Sequence, residues 1–235
     1  MWSLLFVTMR NRNSVVIEEY LLVIYSLRSD EKPIKAVQLT KRLRNSPSTV
    51  HATLSRMRRD KLISIGKKKD ITLTAEGLVK AEQLTRRHRL VETFLCETLG
   101  ISWHEVHEHA HILEHGLTPL VEEKLAAFLN FPKSCPHGTP FPGEEKRIMR
   151  ETIALNDANP EDTVEVVYVN ESLEESVELM KFLQEKNFRP GSRHKVVEKT
   201  DITKTIVLAA NDHTTTLSFD IAEKIGVLKL PSNPL

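Results

Sequence analysis

The amino-acid sequence predicts a mainly helical α+β protein: a winged helix-turn-helix, then a helical metal-binding and dimerisation domain, then a small C-terminal β domain. Three observations predict this class. Charge is segregated along the chain, histidines crowd into one helical stretch, and the apolar period changes from about 3.6 to 2 in the C-terminal third. Residues 1–75 carry 15 Lys and Arg against 6 Asp and Glu, a net +9, whereas the rest of the 235-residue chain carries 18 against 26, a net −8. The overall +1 conceals this division, and a polyanion is the expected partner of the N-terminal end. A hydrophobic content of 40% is that of a globular protein and excludes a disordered chain. Two cysteines, Cys96 and Cys135, make no disulfide framework, so a cytoplasmic location is expected. The apolar opening Met1–Val7 has no basic region before it, no cleavage pattern after it and too few residues to cross a bilayer. It is read as part of a tail over 1–13, with translation starting at Met9 as an alternative, and no membrane partner is expected.

The elements follow in order. Between Ser14 and Arg28, Val16, Ile17, Tyr20, Leu21, Ile24 and Leu27 recur at helical spacing, and Asp30-Glu31-Lys32-Pro33 closes the segment. A short helix is expected from Ala36 to Leu43. Asn45-Ser46-Pro47 breaks it and starts a third, from about Ser48 to Asp60, because proline is tolerated where a helix needs no N–H donor. Leu62–Ile65 and Ile71–Leu73 flank a Gly66-Lys67-Lys68-Lys69-Asp70 turn and read as a basic hairpin. Three helices and such a hairpin make a winged helix-turn-helix, domain 14–75. A helix entering the major groove needs small polar residues at its leading end and cations set for phosphates. Ser46, Ser48, Thr49 and Thr53 suit the first role; Lys35, Arg56, Arg58, Arg59 and Lys67–Lys69 suit the second, so double-stranded DNA is the expected partner.

A long helix is expected from Thr74 to Leu99, ended by Gly100, and another from Trp103 to Leu117, in a domain over 76–145 whose apolar stripes suit a homodimer. Prolines 132, 136, 140 and 142 mark a loop. Residues 146–162 read as a short helix and linker. The C-terminal domain, 163–235, begins with the alternation of Val164, Val166 and Tyr168, continues with a helix from Leu173 to Lys186, and ends in strands near 195–198, 205–209 and 215–219.

Six of the ten histidines, His88, His104, His107, His109, His111 and His115, lie between positions 88 and 115. At ~100° per residue, His111, Glu114 and His115 fall about 40°, −20° and 80° from His107, beside an apolar arc of Val106, Ala110, Leu113 and Leu117. His88 and Glu92, four apart, share a face of the preceding helix. Imidazole with carboxylate suits Mn, Fe, Co, Ni or Zn, and protons should compete with metal below about pH 6. His107-Glu108-His109-Ala110-His111 is also a literal H-E-x-x-H, the zinc-hydrolase helix in which Glu is general base. The DNA-like N-terminal module and the longer ligand face argue against that chemistry. No catalytic residue and no organic substrate are expected, and a metal store is the third reading.

These residues resemble the diphtheria-toxin-repressor family of iron- and manganese-dependent regulators. The resemblance rests on Ile17–Leu21, Arg87–Glu92, Val106-His107-Glu108 running on to Leu113-Glu114-His115, and Phe131–Gly138, and covers the chain from about Ser14 onward. It implies a homodimeric repressor of metal-homeostasis genes that binds operator DNA when metal is bound. It implies a regulatory site of Glu19, His111, Glu114 and His115, an ancillary site of His88, Glu92 and His107, and an SH3-like C-terminal domain that sometimes lends ligands. Cys135 and His137 are further candidates for the ancillary site, a proline-rich loop without metal being the alternative. Iron-type members have Met where this chain has Glu19 and Cys where it has His111, and manganese-type members have acids at both. Without soft sulfur ligands the regulatory set points to Mn(II), with Fe(II) and Zn(II) as alternatives. Ser176 and Leu179 stand where relatives place an acid and an amide, with Glu175 and Glu178 close by. Ala52 replaces a base-reading Gln, which leaves the operator sequence open.

Overall fold

The computed structural model describes residues 12–28, 33–210 and 213–231. The expected tail up to Asn11 and the Asp30–Lys32 helix stop lie outside them. The chain forms two compact units, Met1–Arg86 and Arg87–Leu235.

The first unit holds α1 (Arg12–Leu27), α2 (Ala36–Arg42), α3 (Pro47–Arg59), β1 (Ile63–Ile65), β2 (Ile71–Leu73) and the start of α4 (Ala75–Thr93). Tyr20, Ile24, Leu39, Val50, Met57, Ile63 and Ile71 are fully buried and join the three helices to the hairpin in one core. Ser46 caps α3, its Oγ accepting the Thr49 N–H at 3.2 Å, with Pro47 in the first turn; this is the break and restart expected there. The antiparallel hairpin pairs Ile63 with Leu73 and Ile65 with Ile71. Thr74 ties the hairpin to α4: its Oγ1 donates to Lys61 O and accepts from Gly77 N. Gly77 is required there, since a Cβ would lie 1.9 Å from Leu62 O.

In the second unit α4 ends in a π-helical turn, Phe94–Thr98, immediately after Glu92 and Thr93, and π turns often occur at functional sites. The expected regular helix to Leu99 is thus only partly α. The next helix, α5 (Val106–Leu113), starts three residues later than expected and tightens to 3₁₀ over Glu114–Gly116. A separate α6 (Pro119–Phe128), not anticipated, is capped by Thr118, and α7 spans Glu145–Ile148. The remaining elements are β3 (Ile153–Ala154), β4 (Thr163–Val169), α8 (Glu171–Glu174), α9 (Val177–Glu185), β5 (Arg193–Thr200), β6 (Thr205–Ala210), β7 (His213–Ser218), α10 (Phe219–Ala222) and β8 (Ile225–Lys229).

The six strands form an antiparallel sheet in the order β3-β8-β4-β5-β6-β7. Its core contains Leu155, Val164, Val166, Val169, Leu183, Phe188, Ile206 and Val227, joined by Trp103 from the segment before α5. Four expectations change. The linker read over 146–162 contains β3 and the fully buried Leu155 and Ala158, so much of it belongs to the C-terminal core. Strand β8, unexpected, lies between β3 and β4. A bulge between Val166 and Tyr168 puts Val169 inside where strict alternation put Tyr168. The helix expected over Leu173–Lys186 is broken at Ser176, whose Oγ accepts from Leu179 N and caps α9.

Candidate metal centre

In the second unit, His88 and Glu92 project from one side of α4, one helical turn apart, and meet His107 and His111 from α5. The rings of His88, His107 and His111 form a triangle with centroids 4.6–4.8 Å apart. His88 Nε2 is 3.0 Å from Glu92 Oε1 and 3.1 Å from His107 Nδ1, while its Nδ1 is 2.5 Å from Glu114 Oε2. Glu114 Oε1 faces His111 Nδ1 at 3.4 Å and His115 Nε2 at 3.5 Å. The two candidate ligand sets expected to be separate therefore meet within this unit, through the two nitrogens of His88.

The other side of the cluster is closed by residues outside these helices. Glu174, on α8, places Oε2 2.9 Å from His107 Nδ1 and 3.3 Å from His137 Nδ1. His137 Nε2 lies 2.9 Å from Trp103 O; a carbonyl only accepts, so Nε2 carries the hydrogen, and Nδ1 faces the carboxylates of Glu174 and Glu92, which raise the ring's pKa against the effect of burial. Such a backbone contact is how ligand imidazoles are commonly oriented. Cys135 Sγ lies 4.0 Å from His137 Nδ1. The loop carrying both is fixed against β4: Val169 N donates to His137 O, Thr139 Oγ1 donates to Val169 O, and Gly138, at φ +82°, leaves no room for a Cβ beside Val167 O.

Glu174 is the residue that sequence reasoning missed. Ser176, Leu179, Glu175 and Glu178 were the positions considered in this domain, but Ser176 is the α9 cap and neither Glu175 nor Glu178 belongs to a donor cluster among the described residues. The available signal was a carboxylate pair three apart, Glu171 and Glu174, just after a strand.

Electrostatics define the cluster chemically. Burial works against a charged His88, but Glu92 and Glu114 outweigh it and hold the ring well above its ordinary pKa. Burial likewise opposes charge on His107, yet Glu174 and Glu92 raise it to about 10. Glu114, despite burial, is drawn down to about 2, chiefly by His88 and then His111. Burial and the neighbouring Glu92 push Glu174 up. The thiol of Cys135 is pushed well up by burial, then by Glu92 and Glu174.

The donor set fits a divalent cation on geometry as well. His88, Glu92, His107 and Glu174 offer ligand atoms within 4.8 Å of one another, all buried. Neither oxygen of Glu174 nor Oε1 of Glu114 makes a well-aligned hydrogen bond, although imidazole nitrogens lie close to Glu174 Oε2 and Glu114 Oε1. Buried carboxylates left this way are costly; facing a common cation in place of one another removes that cost. Glu108, the general base of the H-E-x-x-H reading, points to solvent, as does His109.

In the first unit Glu19 lies half-buried on α1. Ser46, Ser48, Thr49 and Ala52 are exposed along the leading part of α3, and Lys67, Lys68 and Lys69 are exposed at the hairpin tip. Two expected DNA contacts are otherwise engaged. Thr53 is fully buried and accepts from Arg56 Nη2 at 3.0 Å, so it stabilises α3 from within and does not face a groove. Lys35 Nζ donates to Lys68 O at 2.5 Å and pairs with Asp70, bracing the hairpin. His51 and Ser55, not considered from sequence, are exposed on α3.

Comparison with known proteins gives these features a common origin. Residues 14–71 match the iron dependent repressor N-terminal DNA binding domain, 74–143 the iron dependent repressor metal binding and dimerisation domain, and 153–229 the FeoA domain. The iron-dependent repressor IdeR of Mycobacterium tuberculosis is 30% identical over 223 residues, 91% of this chain and 96% of that protein. The chain belongs to the iron-dependent repressor family. Among solved structures, a manganese-dependent transcriptional repressor in complex with manganese aligns at a TM-score of 0.80 and 27% identity, covering 91% of this chain and all of that one. ScaR with bound Zn2+ aligns at 0.78 and 27%, covering 91% and 99%. The repressor is thus a metal-dependent, DNA-binding transcription regulator with an N-terminal DNA-binding domain and a helical dimerisation domain. Its family is one of transcriptional repressors and not of enzymes, which removes the hydrolase reading. No helix among the described residues is long and apolar enough to cross a membrane.

Proposed function

We propose that this repressor is activated for operator binding by Mn(II), with Fe(II) next in preference, and controls metal-ion homeostasis genes from the cytoplasm. Glu19, His111, Glu114 and His115 form its regulatory set; His88, Glu92, His107 and Glu174, with His137, form the ancillary set. The single observation that carries this is the buried cluster of imidazoles and carboxylates, in which the regulatory set holds no sulfur: without thiolate ligands softer ions lose their special advantage, while the affinity order keeps Zn(II) as a competitor. The bound cation supplies the positive charge that lets these carboxylates face one another. Glu19 is the one member of the regulatory set on the DNA-binding unit, so ligation by it favours the arrangement of that unit that DNA selects. By linkage, operator DNA tightens metal binding by the same factor.

A second copy of the chain covers the exposed Ile112, Leu113, Leu120, Val121, Phe128 and Phe131, apolar residues of the dimerisation domain. Two α3 helices then address successive major grooves, with Ser46, Ser48 and Thr49 leading and Lys67 and Lys68 on phosphates. The test is fluorescence anisotropy on genomic DNA fragments, first with chelator and then with Mn(II), Fe(II) and Zn(II), comparing wild type with Glu19→Ala. Metal-dependent, sequence-selective binding lost in the variant is expected. Binding indifferent to metal would return the cluster to the metal-store reading.

A further inference from the structure

We infer that Trp103 is a positioning residue of the ancillary set: its main-chain carbonyl and indole edge orient the His137 ring so that Nδ1 faces Glu92 and Glu174. This rests on the reading of His137 as a ligand. Trp103 lies in the turn before α5, yet its side chain is only 3% exposed and belongs to the core of the C-terminal sheet. His137 Nε2 donates to Trp103 O at 2.9 Å, the two rings meet edge to face with centroids 4.8 Å apart, and the indole Nε1 donates to Pro136 O at 2.9 Å. One residue thus holds both the ring of His137 and the peptide that precedes it.

The argument comes from what else holds this loop. Val169 N donates to His137 O, Cys135 N to Thr139 O, Gly138 N to Cys135 O, and Thr139 Oγ1 to Val169 O. These bonds fix the path of the backbone, and none of them reaches the His137 side chain. An imidazole on a fixed backbone still turns about two side-chain torsions and can present either nitrogen. Trp103 removes that freedom. Its carbonyl engages Nε2 and so assigns Nδ1 to the cluster, 3.3 Å from Glu174 Oε2 and 3.6 Å from Glu92 Oε1, while the indole edge limits rotation of the ring.

The turn that carries Trp103 is itself held. His104 Nδ1 lies 3.2 Å from Gln184 Oε1 on α9, the Arg189 guanidinium stands 5.8 Å from the centre of the indole, and Ser102 O accepts from Glu105 N and Val106 N to lead into α5. His107 follows four residues after Trp103, so one tryptophan joins the start of the helix bearing His107 to the loop bearing His137. An indole suits this role because it combines an apolar body for the sheet core with a donor at its edge. Phenylalanine fills much of the same space without the donor.

The experiment uses full-length protein. Free Mn(II) is followed by electron paramagnetic resonance during titration of wild type, Trp103→Phe, His137→Ala and the double variant, with metal-free thermal melts of each. Leu208→Ala, in the same core but on β6, is the control for lost packing. If Trp103 acts through His137, Trp103→Phe weakens the ancillary Mn(II) affinity by ~10-fold, the lower end of the range for residues that orient ligands, and adds nothing in the His137→Ala background. Leu208→Ala lowers the melting temperature and leaves Mn(II) affinity unchanged. Trp103→Met, which also lacks the donor, takes the place of Trp103→Phe should that variant fail to fold. An equal factor in both backgrounds, or a loss of affinity in Leu208→Ala as large as in Trp103→Phe, overturns the inference in favour of a purely structural tryptophan. Should His137→Ala weaken Mn(II) binding while Trp103→Phe does not, the inference alone fails; if His137→Ala has no effect, the ligand reading of His137 fails and the inference with it.

Discussion

Metal uptake by this repressor is expected to be coupled to proton release, and more steeply than free histidines would allow. The perturbation is pH, varied from 6 to 8. In the metal-free cluster His107 titrates at about 10, and His88 is also held well above its ordinary range by Glu92 and Glu114. His107 therefore carries its proton throughout that interval and must lose it to ligate, and His88 is shifted in the same direction. A displaced proton makes apparent affinity rise about tenfold per pH unit, so His107 alone gives about a hundredfold across the interval. Proton competition was anticipated from sequence only below about pH 6, as for histidines of ordinary pKa; the buried carboxylates move it upward. The assay is calorimetric titration with Mn(II) at pH 7 in buffers of different ionisation enthalpy, which counts protons directly. At least about one released per ancillary ion is expected, and a count near zero with affinity flat in pH would refute the electrostatic reasoning. The shifts have a counterpart in stability. A raised folded-state pKa makes the His107 contribution to the metal-free fold complete below about 6.5 and lost as pH rises through about 10. Glu114, lowered to about 2, contributes above about 4.5 and loses that contribution as pH falls through 2.

Other consequences are simpler to check. Gly77→Ala brings a Cβ to 1.9 Å from the Leu62 carbonyl, between backbone segments that have no side chain to yield, and should destabilise the DNA-binding unit by about 1–3 kcal/mol in urea denaturation followed by circular dichroism; a change under ~0.5 kcal/mol would mean that the α4 start relaxes freely. Lys67→Ala with Lys68→Ala removes two exposed cations from the hairpin tip, and should lower the slope of log affinity against log salt by about 1–2 while weakening all DNA sequences alike. An unchanged salt slope would take the hairpin off the phosphates.

Much of the fold was legible because its signals are local. Ser46-Pro47 specifies a helix start through its own backbone chemistry, the lysine-rich turn marks a hairpin, and the spacing of His107, His111, Glu114 and His115 follows from 3.6 residues per turn. What lay out of reach depended on partners distant in sequence. Thr53 looked like a base reader until the packing of α3 turned it inward. Ser176 stood where relatives carry an acid, which left ligation from that domain open, and it is a helix cap while Glu174, two residues earlier, faces the cluster.

By itself, the sequence determined the basic N-terminal module, the histidine face of α5 and the pairing of His88 with Glu92, because periodicity and charge are properties of contiguous residues. Only the tertiary structure decided that one imidazole joins the two candidate ligand sets, that Glu174 closes the cluster, and that Arg89 reaches across to α8. These rest on contacts spanning 26, 67 and 82 positions, respectively His88 to Glu114, His107 to Glu174 and Arg89 to Glu171. Such contacts are set by how the sheet packs on the helices, and no local pattern in the chain encodes them.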